Sequence, residues 1–431
     1  MAEDQSKCAC LPPASSSKIS LRAESVALAL AVVVGLGVVA SPSAQAQTYK
    51  ESVLYSFRGT PDGANPWTGL IRDKSGDFYG TTHDGGGPGQ GTVFKVSANG
   101  KEMVLYSFQG YPDAAHPEAG LVRDAAGDLF GTTTYYGGAF LWGAVFKVTK
   151  ARKETVLYSF TGGADGGYPT GGVVRDAAGN LYGTTVDGGD GSGCYYGGCG
   201  TAYKLDASGK ETVLYSFTVG SDGASPAAGL VRDSVDNVYG TTYYGGNAAC
   251  NKGGNFGCGT VFTVTKSGDE TPLYTFSGGT DGAYPYAGLL RDAKGNLYGT
   301  TSEGGDLKCA PPYGCGTVFK LTKAGKLTVL HRFTGGVDGA GPNGGLIRDP
   351  AGNLYGASGG GNGRVFKLTK AGKLTVLYRF TGGVDGAGPN GGLIRDAAGN
   401  LYGTTIGGGD LNCNLNGIVG CGVVFKLVEG G

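Results

Sequence analysis

Histidine is nearly missing from this chain. Three occur in 431 residues: His83, His116 and His331. Nucleophilic catalysis of the Ser-His-Asp or Cys-His kind needs one. No HExxH, GxSxG or phosphate-binding loop stands in the sequence. Net charge is missing too, since 35 Lys and Arg balance 35 Asp and Glu. A neutral chain lacks the basic excess that phosphate backbones reward, which sets nucleic acid aside as a partner. Glycine is abundant at 87 residues, but it has no G-X-Y period, so collagen is excluded. No apolar run reaches the ~20 residues that a membrane-spanning helix needs.

The one long apolar run is Val26 to Ala40, 15 residues without charge. Lys18 and Arg22 precede it, and Ala44-Gln45-Ala46 follows. That order is a secretory leader, with cleavage expected after Ala46. Residues 1–46 are therefore read as an export signal, and 47–431 as an exported protein with no membrane span (secreted, periplasmic or on the cell surface).

What the mature part has in abundance is repetition. Val53-Leu-Tyr-Ser-Phe57 returns six times, three of them with substitutions such as Val-Leu-His-Arg-Phe at 329–333, at spacings of 51, 52, 57, 59, 57 and 47 residues. Between copies lie a Gly-Leu-x-Arg-Asp run, an Asn-Leu-Tyr-Gly-Thr-Thr run and a Gly-Thr-Val-Phe-Lys-Leu run. Each is five or six residues of strand-forming types bounded by Gly, Asp or Asn. Four antiparallel strands in about 50 residues is the size of a propeller blade. The chain opens on the fourth strand of the repeat and ends on the third. In a ring, the N-terminal strand completes the last blade; an open solenoid gains nothing from that offset. The expected fold is all-β: a seven-bladed β-propeller of four-stranded antiparallel blades, closed in this way, as one domain over 47–431.

The phrase Leu-Tyr-Ser-Phe-x-Gly-Gly-x-Asp-Gly, then Gly-Leu-Val-Arg-Asp-Ala-Ala-Gly-Asn-Leu-Tyr-Gly-Thr-Thr, then Gly-Thr-Val-Phe-Lys-Leu, resembles the GloVer (Gloeobacter/Verrucomicrobia) tandem repeat of bacterial exported proteins. The likeness covers residues 53–427. It implies an exported repeat protein and brings no catalytic residues with it.

With the Arg-Asp strand innermost, the second-to-third and fourth-to-first loops share one face. Length variation concentrates in the second-to-third loops, 186–199, 243–258, 302–315 and 406–421, where binding usually sits. They hold the cysteines of the mature part as Cys194/Cys199, Cys250/Cys258, Cys309/Cys315 and Cys413/Cys421. In an exported protein these read as four disulfides; no His stands near any pair, so no metal is expected, and no cofactor. Aromatics gather on the same face: Trp67, Tyr135, Tyr136, Trp142, Tyr195, Tyr196, Tyr243 and Tyr244, with Tyr168, Tyr284 and Tyr286. Such rings stack on sugars or anchor a protein, or pack against neighbouring loops. His83 and His116 lie there too, and His83-Asp84 is a candidate acid–base pair.

Seven aspartates recur four residues before proline: Asp62, Asp113, Asp165, Asp222, Asp281, Asp338 and Asp385. Their recurrence favours turn formation over a ring of cation ligands. The seven Arg-Asp pairs are expected to tie blade to blade by hydrogen bonds or ion pairs. The function expected is a monomeric binding module for a glycan or extracellular protein. A carbohydrate-active enzyme with a site at the centre of the face and a structural envelope protein stand as alternatives.

Overall fold

The computed structural model describes residues 49–430, apart from 139, 191–193, 195, 196 and 251–256. The expected export signal lies outside the described residues. Seven four-stranded antiparallel sheets form the blades of a β-propeller, and the described residues contain no helix. Blade I runs from Ile71–Arg72 at the axis through Phe78–Thr82 and Thr92–Val96 to Glu102–Ser107 at the rim. Blades II to VII begin at Val122–Arg123, Val174–Arg175, Val231–Arg232, Leu290–Arg291, Ile347–Arg348 and Ile394–Arg395.

Blade VII takes Val423–Glu429 as its third strand and Tyr49–Ser56 as its fourth, paired from Tyr49↔Glu429 to Ser56↔Val423. The seams between blades are apolar and alike. A Phe at the end of each fourth strand meets the third-strand aromatic of the next blade edge to face. Phe57–Phe94, at 5.0 Å between centroids, joins blade VII to blade I, and Phe108–Phe146, at 5.1 Å, joins I to II. The series continues to Phe380–Phe425 between VI and VII, so all seven seams are closed. Such pairs add roughly 0.5–1.5 kcal/mol each beyond their buried area.

The repeated words now have physical reasons. In Gly-Thr-Thr, a Cβ on Gly80 would collide with Phe94 and Leu70. The first Thr reaches across the seam, as Thr81 Oγ1 donates to the Ala119 carbonyl at 3.2 Å. The second meets the third strand, with Thr82 and Thr92 hydroxyls 2.8 Å apart. The recurring aspartates are turn-formers: Asp165 accepts from the Thr161 N–H at 2.9 Å and from the Tyr158 hydroxyl at 3.0 Å. His331 replaces that tyrosine in blade V, with Nε2 3.0 Å from Asp338.

The Arg-Asp pairs differ from expectation. Successive strand side chains point to opposite faces. The Asp therefore stays in its own blade, where Asp349 accepts from the Asn353 N–H, the Asn353 amide and the Tyr355 hydroxyl. The Arg crosses the seam, but onto a ring face rather than a carboxylate: Arg123 over Tyr79, Arg395 over Tyr355, Arg72 over Tyr402. Blade IV is different, because Asp236 in its turn draws Arg232 into an ion pair.

Candidate functional site

The fourth-to-first loops meet the second-to-third loops on one face, through backbone bridges such as Ala64↔Asp84, Gly167↔Asp187 and Ala224↔Tyr244. Each seam presents two variable seats around its proline. The residue before the proline is Asn65, His116, Tyr168, Ser225, Tyr284, Gly341 or Gly388, and every one is left-handed, with φ between 53° and 65°. Its N–H donates to the residue two before the third strand, as His116 does to Gln90 O at 2.9 Å. In six of the seven seams, all but that of Gly341, its carbonyl accepts from the residue after the second strand, as Asn65 O does from the His83 N–H at 3.0 Å. A left-handed L-residue costs about 1–2 kcal/mol. The seams leading into blades VI and VII meet this with glycine. The other five carry side chains there despite the strain, and three of those are His or Tyr. Such strain concentrates where a protein uses the residue.

The residue after the proline is Trp67, Glu118, Thr170, Ala227, Tyr286, Asn343 or Asn390, and all seven line the mouth of the central channel. The cavity there is small, about 150 Å³. Sites for drug-sized ligands run to roughly 300–1,000 Å³, so the channel mouth alone is too small to enclose one.

Blades I and II bring the rare residues together. His83 lies between two carboxylates, Nδ1 3.0 Å from Asp84 and Nε2 3.3 Å from Glu118. His116 stacks on His83 at 4.5 Å, with its Nδ1 3.5 Å from the same Asp84 oxygen and 3.0 Å from the His83 carbonyl. Trp67 also lies against His83, at 5.7 Å between ring centroids. Asn416, from the loop of blade VII, donates to the other Asp84 oxygen at 3.3 Å. Burial alone would lower the His83 imidazole, but the Asp84 and Glu118 carboxylates outweigh it and raise it to about 9. Burial would raise the Asp84 carboxyl, but the two imidazoles outweigh that and hold it far below the usual range. Asp187 occupies the matching seat in blade III without histidines, and burial pushes it up to about 6. The contrast assigns the Asp84 shift to its histidines.

The expected aromatic residues fall into two arcs. Tyr135 touches His116 at 5.7 Å and Tyr168 at 5.6 Å, and Trp142 lies 4.9 Å from Tyr168, so rings run without a break from Trp67 to Trp142. Tyr136, with φ of 57°, pairs with Ala114. The second arc is Tyr243, stacked on Tyr284 at 5.1 Å and in contact with Tyr244 and Tyr286. Tyr195 and Tyr196 lie outside the described residues. All four cysteine pairs are disulfides, with Cα separations of 5.3–5.7 Å. The sequence reading did not single out Glu118 or join His83 to His116. The available signal was that the residues beside an invariant proline vary through blades I to V while the blades around them repeat.

The described residues contain no helix long and apolar enough to cross a membrane. A family model described as the Gloeobacter/Verrucomicrobia repeat matches residues 33–252 and again 248–430. No curated protein matches the sequence. Among solved structures, the fold is similar to two crystal structures of one extracellular domain from B. thetaiotaomicron, described once as part of a one component system and once of a hybrid two component system. Both align with a TM-score of 0.52 at 10% identity over 88% of this chain. The chain spans only 40% and 39% of those two structures.

Proposed function

We propose that this chain, which belongs to the Gloeobacter/Verrucomicrobia repeat family, is an exported monomeric binding module whose loop face takes a glycan or an extracellular protein. Residues 1–46 are its export signal, and the four disulfides accord with an oxidising compartment.

The observation that carries the reading is the contrast between invariant blades and the variable seats beside each proline. A structural ring needs only its repeats, and the Gly341 and Gly388 seats satisfy the backbone. Placing His116, Tyr168 and Tyr284 in the same strained conformation builds a surface that differs from blade to blade. A glycosidase needs two carboxylates across the scissile bond. The mouth of the channel offers one, Glu118, already engaged with His83, so binding is preferred to hydrolysis.

A glycan array on the oxidised, exported protein tests this, alongside the Trp67→Ala/Tyr135→Ala and Tyr243→Ala/Tyr286→Ala variants. Specific binding, reduced at least tenfold by one pair, supports a sugar-binding face; tenfold is about 1.4 kcal/mol. Binding to no glycan discards the sugar and leaves a protein ligand. Binding untouched by both pairs removes the face itself.

A further inference from the structure

We propose that His83, Asp84 and His116 bind one divalent first-row transition metal ion. The inference stands independently of what else the face binds.

The donor atoms are already gathered. One nitrogen from each histidine and one Asp84 oxygen all lie within 4.8 Å of one another, with His83 Nδ1 and His116 Nδ1 at 3.0 and 3.5 Å from Asp84 Oδ1. Bonds of about 2.0–2.1 Å at tetrahedral angles place ligand atoms about 3.3 Å apart. The two contacts to Asp84 Oδ1 already match that spacing to within a few tenths of an ångström, and the two histidine nitrogens, within 4.8 Å of each other, would close by at most about 1.5 Å to seat an ion. Two imidazoles and a carboxylate suit zinc, iron or nickel rather than calcium, which prefers an all-oxygen shell.

The surroundings orient two of the three donors, His83 and Asp84, as a metal site requires. Metal-ligating histidines usually donate their other ring N–H to a carboxylate. His83 has Glu118 at Nε2, which turns its Nδ1 toward Asp84. That Nδ1 is buried and, though close to Asp84, is poorly aligned for a hydrogen bond to it. Asn416 holds the far oxygen of Asp84, leaving the near oxygen facing the histidines. His116 Nδ1 contacts the His83 carbonyl, and an ion would draw it from that contact. Three protein ligands leave a coordination position for water or for an oxygen of a ligand on the face.

Calorimetric titration of Zn2+ alone into the EDTA-treated, dialysed protein tests the site. One equivalent should bind. Affinity should fall at least tenfold in His83→Gln and in His116→Gln, about 10–100-fold in Glu118→Gln, and not at all in His331→Gln. Co2+ should give visible ligand-field absorption in the wild type and lose it in the histidine variants. Melting temperature without metal checks folding, and Asp84→Asn, close in shape, replaces any variant that fails to fold. Absence of binding to the wild type overturns the proposal. So does unaltered binding in the His83→Gln/His116→Gln double variant.

Discussion

The indole of Trp142 lies against Gly162, leaving no space for a Cβ on that residue. The contact is one of a series. Two residues before each third strand stands Gln90, Trp142, Cys199, Cys258, Cys315, Asn362 or Cys421. Gln90 stands over Gly110, Asn362 over Gly382, and the Cys413–Cys421 sulfurs over Gly59. Trp142 thus wedges the loop of blade II where other blades use a disulfide. Trp142→Ala should destabilise the protein by about 2–4 kcal/mol, toward the lower part of the range for large aromatic truncations because the ring is only half-buried. Gly162→Ala, at φ of 74°, should also be destabilising. Equilibrium denaturation measures both. A Trp142→Ala variant as stable as the wild type would make the ring available as a ligand platform instead.

The same seat fixes what reduction does. Each disulfide closes a short loop, with sequence separations of 5 to 8. On the chain-entropy estimate each contributes roughly 2–3 kcal/mol. Reduction under native conditions should lower the melting temperature without erasing the fold, because the Phe seams do not involve cysteine. Protease should then cut first in the loops of blades III, IV, V and VII. Early cleavage in blade II would contradict the wedge assignment.

Stability should rise as pH falls from 8 toward 5. Glu102, Glu154, Glu211 and Glu270 open the fourth strands of blades I to IV, and Glu51 holds the matching position in blade VII, toward the end of the third strand. Each has one oxygen buried without a partner. Burial first, and then a nearby turn aspartate, raise each to about 7 from 4.5. Leu327 and Leu374 hold the position in blades V and VI, so the setting is apolar. A raised folded pKa favours the neutral acid. The contribution is complete below 4.5 and is lost as pH climbs toward 7. His83, raised to about 9, acts in the same direction from its ordinary 6.5 upward. Asp84 and the lowered turn aspartates, such as Asp349 and Asp396, oppose it, but only below about pH 4. Denaturation midpoints across pH 5–8 check the slope, and Glu102→Gln should flatten it. A midpoint constant over that range in the wild type would refute the assignment.

The ring was legible because each strand is written seven times and the phase offset has no use in an open array. The site was not, for the same reason. His83 and His116 stand 33 residues apart and meet only because adjacent blades pack side by side. Asn416 reaches Asp84 across 332 residues, through ring closure. Adjacency in sequence also misled: Arg and Asp are neighbours in the repeat, but strand alternation separates them, and each finds a partner elsewhere.

Departures from the repeat carry testable energies of their own. The third strand places Phe at 94, 146, 262, 319, 366 and 425, and Tyr only at 203. Tyr203 is fully buried in the seam against Phe160, at 5.0 Å, and its hydroxyl has no hydrogen-bond partner. Burying an unpartnered hydroxyl costs about 1–3 kcal/mol. Tyr203→Phe keeps the ring contact, removes only the hydroxyl and restores the residue used in the other six blades. It should stabilise the protein by about 1–2 kcal/mol. The reverse change in a neighbouring blade, Phe262→Tyr, should cost a comparable amount, because its ring tip meets Gly240 as Tyr203 meets Gly183. Paired denaturation curves for the two variants separate the hydroxyl from the ring. If Tyr203→Phe proves less stable than the wild type, the hydroxyl has a partner in the seam and blade III is specialised there.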